Sequence, residues 1–79
     1  MRIDKFLKVS RLLKRRTVAQ EACDGGKIKV NGRAVKPAHR LKEGDVLTVG
    51  FVQNPLTVRV LSLREHAKKE EAEAMYEII

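Results

Sequence analysis

Five basic residues crowd into nine positions near the start of the chain, and their chemistry is the binding of anions. They are Lys8, Arg11, Lys14, Arg15 and Arg16. The planar fork of an arginine matches the oxygens of a phosphate group. Residues 1–40 carry twelve Lys and Arg against three Asp and Glu, whereas residues 41–79 carry five against seven. Because the surplus is confined to one half, we expect a one-sided positive surface and a polyanionic partner.

The residue types that usually carry catalysis or bind metals lack suitable neighbours in this sequence. Cys23 falls on the apolar face of a predicted helix, where a cysteine most often packs as a small hydrophobic side chain. His39 and His66 are not spaced for a metal site. No serine stands in the context of a base, and no glycine-rich phosphate loop is present. The sequence therefore predicts a binding protein rather than an enzyme, with no cofactor and no metal.

Length and composition favour one small folded domain in a reducing compartment. The chain has 79 residues, of which 43% are hydrophobic and 34% charged, a balance typical of globular proteins. A single cysteine cannot form an internal disulfide, which fits a cytoplasmic protein. We find neither the pattern of a signal peptide nor an apolar run long enough for a membrane span.

Hydrophobic spacing predicts two helices that would carry the basic cluster. Apolar side chains recur at the spacing of one helix face, at Ile3, Phe6 and Leu7. A second helix is expected over residues 18–24, with Thr17 and Gln20 forming a capping box at its start. The Gly25-Gly26 dipeptide should end it, because glycine readily takes the left-handed conformation that follows a helix.

Alternating apolar residues then predict a sheet. Asn31-Gly32 is a strong signal for a hairpin, and two more strands are expected in VLTVGFV and LTVRVLSL, joined at Gln53, Asn54 and Pro55. From His66 onward a helical apolar stripe returns, at Ala72, Met75, Tyr76 and Ile79. The order predicts an α+β domain with two N-terminal helices packed on a small antiparallel sheet, plus a C-terminal helix.

The few aromatic residues narrow the kind of polyanion. Phe6, Phe51 and Tyr76 all fit core stripes, so a platform that stacks single-stranded bases is disfavoured. Further core positions are predicted at Leu7, Ile28, Val30 and Leu47. An anionic membrane is disfavoured too, because the apolar face of the first helix is needed for the core. Structured RNA and duplex DNA both remain open.

The stretch from Arg2 to Leu47 resembles the S4 RNA-binding domain, also called the αL motif. The matching pattern comprises Arg2-x-Asp4-x-x-Leu7, Ser10-Arg11, Arg16, Ala19, Gly26 through Asn31-Gly32, Lys36-Pro37 and Gly44-Asp45. The resemblance implies a single S4-like domain over residues 1–65, and the C-terminal amphipathic helix that the apolar stripe predicts over residues 66–79 is expected to pack on it. It also implies that the two helices and the following hairpin form an RNA-binding surface.

Two segments, FLKVSRLLKRRTVA and KKEEAEAMYEII, resemble the stand-alone RqcP (YabO-like) group, which is related to the small heat-shock S4 protein. This likeness implies binding of 23S-type rRNA and P-site peptidyl-tRNA on stalled 50S ribosomal subunits, in ribosome-associated quality control. It further implies cooperation with an RqcH-type factor that adds untemplated alanine tails. We also expect no membrane association and a monomer off the ribosome. The alternative is a general structured-RNA or duplex-DNA binding module.

The candidate site residues follow from the charge pattern and the resemblance together. Arg2, Arg15 and Arg16 are expected to be the principal phosphate contacts. Supporting contacts are assigned to Lys5, Lys8, Arg11 and Lys14, and the footprint is extended by Lys27, Lys29 and Lys36 near the hairpin. Asp4 is expected to orient one of the arginines. Asn31 is explained better by its turn than by a contact with RNA.

Overall fold

The computed structural model describes residues 1–50 and 54–79 of the chain. Within them lie three helices, α1 (Ile3–Val9), α2 (Arg16–Asp24) and α3 (Lys69–Glu73). The strands are β1 (Ile28–Val30), β2 (Arg33–Ala34), β3 (Val46–Val49), β4 (Leu56–Val60) and β5 (Tyr76–Ile78). They form one antiparallel sheet in the order β2-β1-β3-β4-β5. The predicted α+β class is confirmed.

Helix α1 forms where the apolar spacing predicts it, because its three large apolar side chains fill the centre of the core. Ile3, Phe6 and Leu7 are fully buried. They share one hydrophobic cluster with side chains of α2 and of strands β1, β3 and β4. The other predicted core positions, Ile28, Val30 and Leu47, are buried as well. The sheet therefore packs one face against the two N-terminal helices.

The predicted capping box of α2 is wrong. The helix begins at Arg16, and its cap residue Arg15 makes no side-chain hydrogen bond to the helix. Thr17 consequently lies inside the first turn. Gln20 donates to the carboxylate of Asp4 instead, at 3.0 Å. A buried carboxylate requires donors more strongly than a helix end that faces water, and this explains why Gln20 points to Asp4.

The Asn31-Gly32 hairpin is confirmed. Asn31 has φ 51° and Gly32 has φ 85°, the two left-handed conformations that a tight turn between twisted strands requires. Asn31 also accepts a hydrogen bond from the amide of Val46 at 3.0 Å, which ties the turn to the start of β3. The turn conformation and this hydrogen bond therefore explain Asn31 without a contact to RNA. Gly26, at φ 73°, follows the end of α2 in the same left-handed region.

The C-terminal segment differs from the predicted helix over residues 66–79. Only Lys69–Glu73 is helical, and the chain then turns into strand β5, which pairs with β4. Pairing satisfies backbone groups that an outer strand would leave exposed: the Leu61 amide donates to the Met75 carbonyl at 2.8 Å. Met75 is fully buried, whereas Ile79 is 53% exposed. The apolar stripe that predicted one long helix thus belongs partly to the short helix α3 and partly to strand β5.

Part of the sequence prediction, around the turn between the third and fourth predicted strands, has no counterpart among the described residues. Phe51 and the end of the third predicted strand lie outside the described residues, as does Gln53 of the predicted turn.

Cys23 is buried at the predicted core position. Burial raises the pKa of its thiol to about 11, and the nearby Asp4 and Asp24 carboxylates act in the same direction. Among the residues that the structure describes, no helix is long and apolar enough to cross a membrane.

Candidate nucleic-acid interface

A buried carboxylate organises the N-terminal end of the two helices. Asp4 is fully buried and accepts hydrogen bonds from the backbone amide of Lys5 at 2.8 Å and from Nη2 of Arg2 at 3.1 Å. Nε of Arg16 lies 3.3 Å from the Oδ2 atom that also accepts from Gln20. Because the side chains of Arg2 and Arg16 are each 41% exposed, their free edges face solvent.

The ionisation of Asp4 follows from these contacts. Burial of the carboxyl opposes ionisation, but the hydrogen bonds from Gln20 and the Lys5 amide, together with the adjacent positive charge of Arg16, outweigh it and hold the pKa of Asp4 below its ordinary value. The group is therefore negative at neutral pH. One negative charge fixes two guanidinium groups and leaves the cluster with a net positive charge.

Local chain geometry brings these side chains together. Arg2 immediately precedes α1 and Asp4 lies in its first turn, while Arg16 begins α2 and Gln20 lies one turn further along. The backbone before α1 is fixed by the loop after β2: the Ile3 amide donates to the carbonyl of His39 at 2.8 Å. An antiparallel bridge also sets Arg2 opposite the exposed Arg40. The position of Arg2 is thus anchored by backbone pairing as well as by Asp4.

Beside the Asp4 cluster lies an open groove lined by cations, which we call the basic groove. Its basic lining residues are Lys5, Lys8, Arg11, Lys14 and Arg16, and it is also lined by Val9, Leu13, Glu65, His66 and Ala67. Lys8, Arg11 and Lys14 form no ion pair with any of the described residues. Lys5 differs, because its ammonium pairs with Glu65. The structure therefore assembles five of the predicted contact residues on one surface.

The other predicted RNA-contact residues lie outside the basic groove. Arg15 is exposed at the start of α2. The cations near the hairpin, Lys27, Lys29 and Lys36, are exposed but do not line the basic groove. Lys29 lies in β1 on the face that points away from the core. Their contacts with RNA stay a prediction.

Arg11 takes an unusual backbone conformation at the end of α1. Its φ of 64° lies in the left-handed region, which residues with a side chain rarely adopt. Its amide donates to the carbonyl of Lys8 at 3.0 Å, and the next turn closes through a bond from the Leu13 amide to the Leu7 carbonyl. Glycine is the usual residue at such a helix end. The side chain of Arg11 thus reaches the basic groove from a strained position, which suggests that the guanidinium has a function.

Charges in the C-terminal half are arranged differently. Arg59 pairs with Glu77 across strands β4 and β5, and Arg64 pairs with Glu71 at 2.9 Å. These two arginines have acidic partners, whereas four of the cations beside α1 and α2 form no ion pair with any described residue: Lys8, Arg11, Lys14 and Arg15. Cations without an acidic partner therefore cluster beside α1 and α2, and further exposed cations lie near the hairpin.

Sequence reasoning missed three residues of this surface. Gln20 was assigned to a helix cap, although its spacing of four residues from Arg16 could have indicated a shared partner. Arg40 lies beside Arg2 only because the loop after β2 pairs with the N-terminal segment. Glu65 reaches Lys5 across 60 positions of sequence. The last two depend on tertiary structure, and no local pattern indicates them.

Comparison with known proteins finds one domain family and several relatives that are similar to this chain. The S4 domain family matches residues 1–47, which contain Asp4 and all cations of the basic groove. The RQC P-site tRNA stabilizing factor of Bacillus subtilis is 54% identical over 79 residues, covering 100% of this chain and 92% of that protein. The protein of the same name from Halalkalibacterium halodurans is 51% identical over 78 residues, covering 99% and 89%.

A solved structure shows the same fold. The trimeric structure of Vibrio cholerae Heat Shock Protein 15 superimposes with a TM-score of 0.94 at 26% sequence identity. The match covers 100% of this chain and 81% of the other. The two N-terminal helices, the sheet and the short C-terminal helix of this chain therefore belong to an architecture that an independent structure also has.

Proposed function

The chain belongs to the S4 domain family, and at 51–54% identity it groups with the RQC P-site tRNA stabilizing factors; from this premise we propose that it binds structured RNA on stalled large ribosomal subunits. The RNA would be 23S-type rRNA together with the P-site tRNA. The observation that carries the proposal is the pair of arginines held by Asp4 beside a groove whose cations outnumber its acidic lining residue, Glu65.

The surface fits recognition of a folded sugar-phosphate backbone. Within the described residues, the Phe and Tyr rings belong to Phe6, which is fully buried, and Tyr76, which is half-buried in β5. No exposed Phe, Tyr or Trp ring is therefore available there for stacking on single-stranded bases. Arginines fixed by a carboxylate instead offer preorganised donors to phosphate oxygens. Shape and phosphate geometry would supply the selectivity, as is common in the recognition of structured RNA.

The proposed role is to bind and position, without catalysis. The protein would hold the P-site tRNA in place on the 50S subunit while an RqcH-type factor directs untemplated alanine tailing. This role places it in the cytoplasm, where ribosomes are. We propose that it is a monomer off the ribosome; the trimeric arrangement named for the Vibrio cholerae protein describes that protein.

Binding to large subunits should depend on the P-site tRNA. We expect the protein to sediment with 50S subunits that carry peptidyl-tRNA, and to be retained about tenfold less by subunits stripped of tRNA, because one of its two RNA partners is then missing. The measurement is co-sedimentation through sucrose gradients at fixed salt. Equal retention on both kinds of subunit would contradict the tRNA contact.

A competition experiment separates RNA from DNA as the target. Free tRNA should displace the protein from subunits more effectively than duplex DNA of equal total charge. Equal displacement would instead indicate a general nucleic-acid binding module, since backbone charge alone does not distinguish the two polymers.

Arg11→Gly should separate stability from RNA binding. Glycine adopts the left-handed conformation without the steric cost of about 1 kcal/mol that another residue bears there, so the free energy of unfolding should rise slightly or stay unchanged. Binding to tRNA should weaken about fivefold, because one groove cation is lost. Urea denaturation and fluorescence anisotropy measure the two effects. Arg11→Lys is the matched control that keeps the charge, and unweakened binding by Arg11→Gly would remove Arg11 from the interface.

A further inference from the structure

One acidic residue lines the basic groove. Glu65 lies in the segment between β4 and α3, and it shares the groove with Lys5, Lys8, Arg11, Lys14 and Arg16. Its carboxylate pairs with the ammonium of Lys5. The side chain of Glu65 is 66% exposed and that of Lys5 is 31% exposed, so an incoming polyanion can reach both. A negative charge thus occupies a surface whose other charged groups would attract phosphate.

The charge on Glu65 persists at neutral pH. The hydrogen bond from Lys5 and the positive charge of its ammonium hold the pKa of Glu65 below its ordinary value, with smaller contributions from the N-terminal ammonium and His66. The groups that face this carboxylate are therefore cationic or basic. A phosphate that approaches Lys5 must compete with the carboxylate already there.

Stability of the fold gives no sufficient reason for an acid in this place. Exposed ion pairs contribute little to the free energy of unfolding, because water screens them and two long side chains must be ordered. An acid inside a phosphate-binding surface also opposes binding through like-charge repulsion. A residue that weakens the nonspecific attraction of nucleic acids, while contributing little to the stability of the fold, is typical of residues that determine binding specificity.

We propose that Glu65 is a specificity-determining residue that makes the basic groove prefer RNA to DNA. A ribose 2′-hydroxyl can donate a hydrogen bond to the carboxylate, which offsets the repulsion between the carboxylate and the RNA backbone. DNA lacks that donor and experiences only the repulsion. The carboxylate is kept in the groove by Lys5, whose ammonium acts as a positioning group for it. This inference rests on the proposed function of the groove in RNA binding.

The test compares one stem-loop sequence prepared once as RNA and once as DNA. In Glu65→Gln the repulsion is gone for both stem-loops, but the ribose hydroxyl of the RNA then donates to a neutral amide oxygen, which is a weaker acceptor than the carboxylate. We expect affinity for the DNA stem-loop to rise about twofold to fivefold and affinity for the RNA stem-loop to change less, so that the RNA-to-DNA preference falls by a similar factor. Fluorescence anisotropy titrations at one salt concentration measure both affinities.

Two further variants make the result specific. Glu73→Gln changes the net charge equally, but Glu73 lies on α3 and does not line the basic groove. It should leave the preference unchanged. In a Lys5→Met background the effect of Glu65→Gln on the preference should largely disappear, because the carboxylate is no longer held. An equal effect of Glu73→Gln, or an equal gain for both stem-loops in Glu65→Gln, would overturn the proposal.

Failure of this inference can be told apart from failure of the proposed function. If the wild-type protein sediments with tRNA-carrying 50S subunits but Glu65→Gln leaves the preference unaltered, only the role of Glu65 is wrong. If the preference shifts as expected while the wild-type protein ignores ribosomal subunits, the groove discriminates RNA from DNA but acts elsewhere.

Discussion

We expect Arg16→Ala to lower the affinity for tRNA-carrying large subunits about tenfold to a hundredfold, through the loss of a charge-assisted hydrogen bond that contributes about 1.5–3 kcal/mol. Arg16 should have this effect because the Asp4 carboxylate, 3.3 Å away, fixes its guanidinium before RNA arrives. Removal therefore eliminates both a charge and a preorganised donor. Co-sedimentation with 50S subunits, together with anisotropy titration of tRNA, measures the loss.

The salt dependence of the same titration identifies the cause. If about four to six phosphates are neutralised, the logarithm of the binding constant should fall with the logarithm of salt concentration at a slope of about −3 to −5. Arg16→Ala should make that slope less steep by about 0.9, which corresponds to one phosphate. A wild-type affinity that does not change with salt would contradict the electrostatic basis of binding.

Arg59→Ala is the matched control for this substitution. Arg59 is an exposed arginine on β4 that pairs with Glu77, and it lies outside the basic groove. Its removal should leave RNA affinity within about twofold of the wild type. Circular dichroism spectra of both variants should match that of the wild type. If Arg16→Ala still sediments with large subunits at full strength, the RNA contact lies on another surface.

Asp4→Asn should produce the largest loss of stability. The substitution preserves side-chain volume, but it removes the charge to which two guanidinium groups are bound and places an amide donor against Gln20 or Arg2. We expect the free energy of unfolding at pH 7 to fall by about 1.5–3 kcal/mol and the melting temperature by about 10 °C. Because Arg2 and Arg16 would lose their anchor, RNA affinity should fall as well. Urea denaturation, calorimetry and tRNA titration measure these effects.

The pH dependence provides an independent check on Asp4. Its pKa is lower in the folded protein than in the unfolded chain, so its contribution to stability is fully present above the unfolded value of about 3.9. That contribution disappears as pH falls through the folded pKa. The stability difference between wild type and Asp4→Asn should therefore be greatest near neutral pH and shrink in acid. Asp24→Asn, at the exposed end of α2, should show no comparable loss. A difference that is independent of pH would contradict the assigned role of the carboxylate.

Sequence patterns were sufficient where neighbouring residues decide the conformation. The apolar spacing of Ile3, Phe6 and Leu7 gave the correct helix, because burial of these side chains stabilises it. The turn at Asn31-Gly32 requires left-handed conformations that these two residue types tolerate. The clustering of basic residues likewise indicated the cations that line the basic groove, since α1, the segment between the two helices and the first residue of α2 carry them.

Patterns failed where a distant partner decides the outcome. Thr17 and Gln20 match a capping box, but Asp4, sixteen positions away, takes the donor of Gln20. The C-terminal stripe fits a helix, yet the outer edge of β4 recruits Tyr76–Ile78 as a strand. Glu65 has no local feature that would place it against Lys5. The RNA contacts assigned to individual residues stay predictions that the experiments above address.

Because the basic groove contains unpaired cations, the binding of RNA there should also affect the stability of the folded protein. Lys8, Arg11 and Lys14 repel one another in the free protein, and this repulsion disfavours the compact state of a small domain. Phosphates bound in the groove would remove the repulsion and would bind the native state in preference to the unfolded one, which adds stability by mass action. We therefore expect copies bound to RNA to resist proteolysis better than free copies, so that a cell would retain the protein in proportion to the RNA sites available for it.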